Sequence, residues 1–197
     1  MTVTPGERRV IEAAKRCCER WGFAKVTVDD IAAEAGVSRA TLYRLFPGGK
    51  DVLFESMRVL ELEEFFDNLR LALEGADGVE DLLLRAITES LRAMQADEHL
   101  ALMLACAPGE TLGQLTVEGL PRIIRVATVF LTPLLIPHLH DREPAVRIVE
   151  LLVRLVISEF LAPSEHLDLT SEAVARDFLR TFILPTLVSP ALSNPTR

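Results

Sequence analysis

Apolar residues recur every three or four positions along most of the 197-residue chain, which is the spacing of one face of an α-helix. In the first run, Val10, Ala14, Cys17 and Trp21 fall on a single face that ends at Gly22. No segment alternates apolar and polar residues in the manner of a half-buried strand. The pattern therefore predicts an all-α fold. Helices are predicted over residues 7–21, 28–35, 38–46, 51–74, 79–96, 98–107, 120–139, 144–161 and 171–184.

Two of the predicted helices are short and lie on either side of Gly36. Thr27 is placed to cap the first of them, and Asp30 follows three residues later, where it completes a capping box. Glycine takes a left-handed conformation without a Cβ clash, so Gly36 suits a tight turn. Ser38 is placed to cap the second helix. Two short helices joined by a tight turn are typical of a helix-turn-helix.

The second short helix has an apolar side and a polar side. At 100° per residue, Leu42, Leu45 and Phe46 face inward. A single exposed arginine is usually no more than a solvated side chain. Two arginines beside a tyrosine on a helix that follows such a turn favour DNA binding, because arginine pairs with guanine in the major groove. The outward side, with Thr41 at its border, carries Arg39, Ala40, Tyr43 and Arg44.

The run TVDDIAAEAGVSRATLYRLFPGGKDVL, residues 27–53, resembles the DNA-binding signature of the TetR family of bacterial transcriptional regulators. The resemblance covers about the first fifty-five residues. It implies an N-terminal three-helix helix-turn-helix DNA-binding domain and a larger C-terminal helical domain. It further implies a homodimer that binds a palindromic operator in double-stranded DNA, and a small inducer that releases the DNA.

Residue roles follow from the resemblance by position. The implied phosphate contacts are Thr27, Thr41, Tyr43 and Lys50, the implied base readers are Ser38, Arg39 and Ala40, and Arg44 shares their exposed face. Leu45 departs from the pattern, since many members have histidine or tyrosine there. Leucine has no donor, so we expect Leu45 to pack inward.

Charge is unevenly distributed, although the net charge is −8. Residues 1–50 carry nine Lys and Arg against six Asp and Glu, whereas residues 51–197 carry twelve against twenty-three. An anionic polymer is attracted to the basic end only. We therefore predict a DNA-binding domain over residues 1–50 and a helical ligand-binding and dimerisation domain over residues 51–197.

The helix predicted at 144–161 is apolar around most of its circumference, so we expect it to be buried on both sides. One prediction is that a second subunit buries one of these sides. The helices at 144–161 and 171–184 of each subunit would then form a four-helix interface. The alternative is a single larger core in a monomer. The predicted interface residues are Val149, Val153, Val156, Phe160, Val174, Phe178 and Phe182.

The central helices carry aromatic and methionine side chains at helical spacing, which predicts either a plain core or a ligand pocket. A pocket of this composition would take a largely apolar small molecule. Its predicted lining is Phe65, Phe66, Leu69, Leu91, Met94, Met103, Cys106 and Phe130.

Other functions receive little support from the sequence. The N-terminus has no apolar signal segment, and the weakly polar run at 126–136 is too short to span a bilayer, so we expect a cytoplasmic protein without a membrane partner. No catalytic or nucleotide-binding fingerprint occurs, so we expect no enzyme activity, no metal and no cofactor. Activator and repressor roles both stay open, as does a helical ligand-binding or adaptor protein with a vestigial helix-turn-helix.

Overall fold

The computed structural model describes residues 3–23, 25–106, 108–139 and 141–188. Every regular element within these ranges is helical, which confirms the predicted all-α fold. A π-helix, Leu179–Ile183, lies between the last two α-helices. The α-helices are α1 Pro5–Trp21, α2 Val28–Ala35, α3 Arg39–Leu45, α4 Lys50–Ala72, α5 Gly78–Ala96, α6 Glu98–Cys106, α7 Pro108–Leu115, α8 Leu120–Leu139, α9 Arg142–Leu161, α10 Glu172–Phe178 and α11 Leu184–Val188.

Side-chain caps set where the first three helices begin. The Thr27 hydroxyl accepts from the backbone N–H of Asp30, whose carboxylate in turn accepts from the Thr27 backbone N–H. This capping box satisfies two N–H groups that the start of α2 leaves free. Ser38 caps α3 by accepting from the backbone N–H of Thr41. Gly36 ends α2 with φ of 64°, the left-handed conformation predicted for the turn.

An apolar core joins the first four helices. Val10 of α1, Ile31 of α2, Leu42 of α3, and Leu53 and Met57 of α4 are at most 1% exposed. Each lies on the inward face that the three- and four-residue spacing predicts. Burial of these side chains leaves the opposite face of α3 at the surface.

The chain divides into two compact units. The first comprises Met1–Glu64 with Glu98–Gly113, and the second comprises Phe65–Asp97 with Gln114–Arg197. Helix α4 contains residues of both. The predicted division at residue 50 separates two functions rather than two compact units, and it stays a prediction.

Three of the four predicted dimer residues on α9 lie in the interior of the second unit, and Phe160 is half-buried. Val149, Val153 and Val156 are 0, 8 and 7% exposed. They pack on the face that α9 turns inward, and a side chain covered within its own subunit offers little surface to another. The remaining predicted interface residues are half-buried or exposed, namely Phe160, Val174, Phe178 and Phe182.

Other apolar side chains of the second unit are exposed, as an interface with a second subunit would require. Phe182 is 62% exposed and lies 5.3 Å from Phe178 between ring centres. Leu151, on the outer face of α9, is 46% exposed and was not among the predicted residues. The interface itself stays a prediction, with Phe182 as its best-placed member.

Two elements differ from the sequence prediction. Helix α7 occupies a stretch, PGETLGQL, for which the sequence predicted no helix. Proline at the first position of a helix is well tolerated, because its missing N–H would have no partner there. The predicted helix at 171–184 is divided by the π-helix. The i to i+5 hydrogen bonds of a π-helix are not signalled by the spacing of apolar residues in the sequence.

Thr111–Leu139 is long and apolar enough to cross a membrane by length and composition, with a mean hydropathy of 1.5 in its most apolar window. The prediction considered only the shorter run at 126–136. Core helices of soluble proteins pass the same test but are mostly buried, whereas 28% of this window is buried, with Ala127, Leu131 and Leu135 on the inner face of α8. The expected absence of a membrane partner stays a prediction.

Candidate nucleic-acid interface

Helix α3 buries one face and exposes the other, as the helical wheel predicts. Leu42 and Phe46 are 0 and 3% exposed. Leu45 is half-buried and packs against the N-terminal core, as expected for a residue that cannot donate. The residues at the surface are Arg39, Ala40, Tyr43 and Arg44, with Thr41 half-buried beside them.

Arg39 is held between two neighbours at the start of α3. Its Nη1 lies 3.4 and 3.2 Å from the two carboxylate oxygens of Asp29 on α2. Its Cζ lies 5.6 Å from the centre of the Tyr43 ring. The hydrogen bond to Tyr43 and then the charge of Asp29 raise the pKa of Arg39, which is charged in any case. The guanidinium therefore has a preferred direction before it meets any ligand.

Tyr43 lies across the loop that follows α3. A Cβ built on Gly49 would stand 3.0 Å from Cε1 of Tyr43, so a side chain there would push the ring by a few tenths of an ångström. Gly49 also has φ of 70°, which glycine adopts without strain. The exposed tyrosine is thus fixed on one side by the loop and on the other by Arg39.

Lys50 begins α4 and is anchored as well as charged. Its Nζ donates to the backbone carbonyl of Phe23, at 2.9 Å, and lies 5.2 Å from the centre of the Phe54 ring. This contact ties the start of α4 to the loop between α1 and α2. The ammonium has three donors, so a phosphate is still able to bind it.

Three of the four predicted hydroxyl donors, all but Tyr43, already make hydrogen bonds at the starts of α2 and α3. The Thr27 hydroxyl donates to the Asp30 carboxylate over 2.6 Å, and the Ser38 and Thr41 hydroxyls lie 3.0 Å apart. The carboxylate contacts of Asp30 lower its pKa, with the Thr27 hydroxyl as the main cause. These caps hold the ends of α2 and α3 in place, beside Arg39.

Asp29 was not among the predicted site residues. Its partner Arg39 is ten residues away in the sequence, and their contact depends on the turn at Gly36. Neither spacing nor composition signals such a pair. The side chain appears in the sequence only as an acidic residue in the first turn of α2, where it is favourable to the helix dipole.

The predicted ligand-binding residues are brought together only in part. Phe66 lies 5.1 Å from Phe65 and 6.0 Å from Phe130 between ring centres, and it is 3% exposed. This aromatic cluster fits plain core as well as a pocket wall. Of the other predicted residues, Leu69 and Leu91 are buried and Met94 is half-buried in the same unit, Met103 is buried in the first unit, and the Cys106 side chain lies outside the described residues.

An open depression of about 620 Å³ lies elsewhere in the second unit, against α8 and α9. Its lining combines apolar side chains with two arginines, one of which, Arg154, is paired with Glu150. The sequence did not indicate it, because its residues come from separate elements. They are Thr116, Val117, Leu120, Pro121, Ile124, Arg125, Glu150 and Arg154.

Metal-ligating side chains do not gather among the residues that the structure describes, where no group of three or more His, Cys, Asp or Glu is placed to hold an ion. The described part of the chain therefore offers an exposed basic and aromatic surface on α3 as its most distinctive chemical feature.

The geometry of α2, the Gly36 turn and α3 defines a helix-turn-helix protein. The sequence profile of the bacterial regulatory proteins of the tetR family matches residues 10–57, which contain this unit. The chain is 38% identical over 64 residues to the HTH-type transcriptional regulator EthR of Mycolicibacterium smegmatis. That match spans 32% of this chain and 30% of EthR.

Two solved structures extend the likeness beyond the N-terminal unit. The TetR family repressor AlkX from Dietzia sp. superposes with a TM-score of 0.67 at 25% identity, over 93% of this chain and 95% of AlkX. The fatty acid degradation regulator FadR from Bacillus halodurans has the same fold, with a TM-score of 0.59 at 21% identity, over 91% of this chain and 96% of FadR. The tetR family profile thus covers the helix-turn-helix unit, and the chain as a whole has the fold of a solved TetR family repressor.

Proposed function

We propose that the protein is a repressor that binds a palindromic operator as a homodimer and leaves it when a small molecule binds. The exposed face of α3 carries this proposal. Arg39, Ala40, Tyr43 and Arg44 lie at the surface of a helix whose opposite side is buried in the N-terminal core. A recognition helix needs that division, because its outer side chains enter the major groove while the inner ones hold it to the domain.

Base recognition and phosphate contact fall to different residues of this surface. Arg39 starts α3 and has donors besides Nη1 for the O6 and N7 acceptors of guanine. Ala40 beside it is small enough for a thymine methyl group to approach. Tyr43, Arg44 and Lys50 supply the hydroxyl and cationic donors that bind backbone phosphates.

A dimer is needed because one short helix reads few base pairs. Two copies related by a twofold axis bind two half-sites about 34 Å apart, so the operator repeats the symmetry of the protein. The exposed Phe182 and Leu151 support a subunit interface that includes α9 and the π-helix. Phe182 also lies beside the half-buried Phe178, 5.3 Å away between ring centres, and contiguous exposed apolar surface marks interaction sites.

The ligand that we propose is small and largely apolar. The aromatic cluster of Phe65, Phe66 and Phe130 supports this, since a cavity opened beside it would be lined by rings. AlkX, which shares the fold over 93% of this chain, is a repressor implicated in the biodegradation of n-alkanes. An apolar inducer for the present protein would be consistent with both observations.

Selection of bound fragments from the source genome tests the proposal. The purified protein is mixed with sheared genomic DNA, and the retained fragments are sequenced and footprinted. We expect a few enriched fragments that share an inverted repeat, with binding that weakens steeply as salt rises. Retention of all fragments alike, or of none, would favour an adaptor or ligand-binding protein whose helix-turn-helix no longer reads DNA.

A further inference from the structure

Asp29 places a carboxylate on the surface that would face DNA. It is the second residue of α2, and both of its oxygens lie within 3.4 Å of Nη1 of Arg39. Both side chains are well exposed, Asp29 at 66% and Arg39 at 62%. An ion pair so exposed adds little to folding stability, because water screens it and two side chains must be held still.

We propose that Asp29 is a positioning residue that sets the direction of Arg39 and thereby the base preference of α3. This inference rests on the proposed function, since it concerns how the same surface selects DNA. Asp29 fixes Nη1, and Tyr43 supports the guanidinium from the next turn of α3. The donors not taken by Asp29 remain available to a base edge.

The physical reason is the freedom of an unsupported arginine. A free arginine side chain samples many rotamers, and it contacts phosphates of any sequence as readily as a guanine. Holding one end of the planar guanidinium reduces the loss of freedom when the remaining donors meet O6 and N7. Phosphates away from that direction are then harder to reach, so non-specific contacts lose strength.

The charge of Asp29 acts in the same sense. When Arg39 leaves Asp29 to contact a phosphate, the carboxylate loses its positive partner. The nearby phosphates of the DNA backbone then repel it. At the right base pair, Arg39 binds guanine without leaving Asp29, and the carboxylate stays neutralised. Unfavourable contacts with the wrong partner are a general means of specificity. Asp29 thus lowers affinity for random DNA more than affinity for the operator.

The experiment compares dissociation constants for the selected operator, for operators with each base pair under α3 replaced in turn, and for random DNA. The proteins are wild type, Asp29→Asn, Arg39→Ala and the double variant. For Asp29→Asn we expect tighter binding to random DNA and a fall of about fivefold or more in the ratio of operator to random affinity, the lower end of what a bidentate arginine provides. The base preference should be lost only at the one base pair that Arg39 contacts.

Asp51→Asn is the matched control, because it makes the same charge change at an exposed position outside the Asp29–Arg39–Tyr43 contacts. In the Arg39→Ala background, Asp29→Asn should leave the ratio unchanged, since the residue it positions is gone. An unchanged ratio in Asp29→Asn alone, or an equal fall in Asp51→Asn, would overturn the inference. A wild-type protein with no preference for any fragment would instead overturn the proposed function.

Discussion

Arg39 and Tyr43 stand one helical turn apart on α3, with the guanidinium carbon 5.6 Å from the centre of the ring. The same ring lies against Gly49, so the loop after α3 supports the arginine through the tyrosine. This relationship makes the pose of Arg39, the base reader that we propose, depend on Tyr43, for which we propose a phosphate contact.

Replacement of Tyr43 separates these two roles. Tyr43→Phe keeps the ring beneath Arg39 but removes the hydroxyl, with its proposed phosphate contact and its hydrogen bond to Arg39, so we expect weaker binding to both DNAs and a small fall in the operator-to-random ratio. Tyr43→Ala also removes the ring, and an exposed cation–π contact of this kind corresponds to about a twofold to fivefold change in affinity. We therefore expect a lower operator-to-random ratio for Ala than for Phe. Equal ratios for the two variants, measured by fluorescence anisotropy, would show that the ring does not support Arg39.

Lys50 should contribute both to stability and to DNA affinity. In Lys50→Ala the Phe23 carbonyl loses its charged donor, so we expect the free energy of unfolding to fall by about 1 kcal/mol. The slope of log affinity against log salt should flatten by about one unit on every DNA. Lys25→Ala, at an exposed lysine of the same unit, controls for the loss of a positive charge. An unchanged salt slope in Lys50→Ala would leave this lysine with a structural role only.

Gly36 is the residue on which the turn between α2 and α3 depends. Its φ of 64° disfavours a side chain, although a Cβ there would meet no atom within 4 Å. Gly36→Ala should therefore lower the free energy of unfolding by about 1–2 kcal/mol through backbone strain alone. Gly109→Ala is the matched control, since that glycine is helical and equally unobstructed, and alanine there should stabilise by about 0.5 kcal/mol. Equal shifts in a urea titration would contradict the assignment of strain.

The subunit interface is best tested at an exposed residue. Phe182→Glu places a charge on a side chain that is 62% exposed in the subunit, so the fold should persist while dimers dissociate. Leu71→Glu changes a residue that is 58% exposed on α4 and should leave the dimer intact. Sedimentation equilibrium distinguishes the two. A Phe182→Glu protein that remains dimeric would remove this residue from the interface.

Helical periodicity and capping residues predicted most of the fold. Thr27, Gly36 and Ser38 placed the ends of α2 and the start of α3 correctly, because caps are local and depend on few residues. The inner and outer residues of α3 followed from its wheel for the same reason. The π-helix could not be predicted, since its extra residue per turn depends on packing against other helices.

The apolar circumference of α9 could not predict which part of the protein buries it. Such a pattern says that both sides are covered, but not whether its own subunit or a partner covers them. Val149 and Val153 turn out to pack within the subunit. The contacts of the candidate site could not be predicted from the sequence either. Arg39 contacts Asp29, and Lys50 contacts Phe23, only once the turns between the helices have formed.

If the outer face of α3 reads base sequence, loss of the Arg39 guanidinium removes part of the operator preference, and Arg39→Ala is the decisive variant. Dissociation constants are measured for the selected operator and for random DNA of the same length, at one salt concentration, with wild type and variant. We expect the affinity of Arg39→Ala for the operator to fall by about tenfold or more, with the base preference lost at one base pair, and its affinity for random DNA to fall much less. Equal losses on both would show that Arg39 contacts only the backbone, and would contradict the reading of DNA by this face.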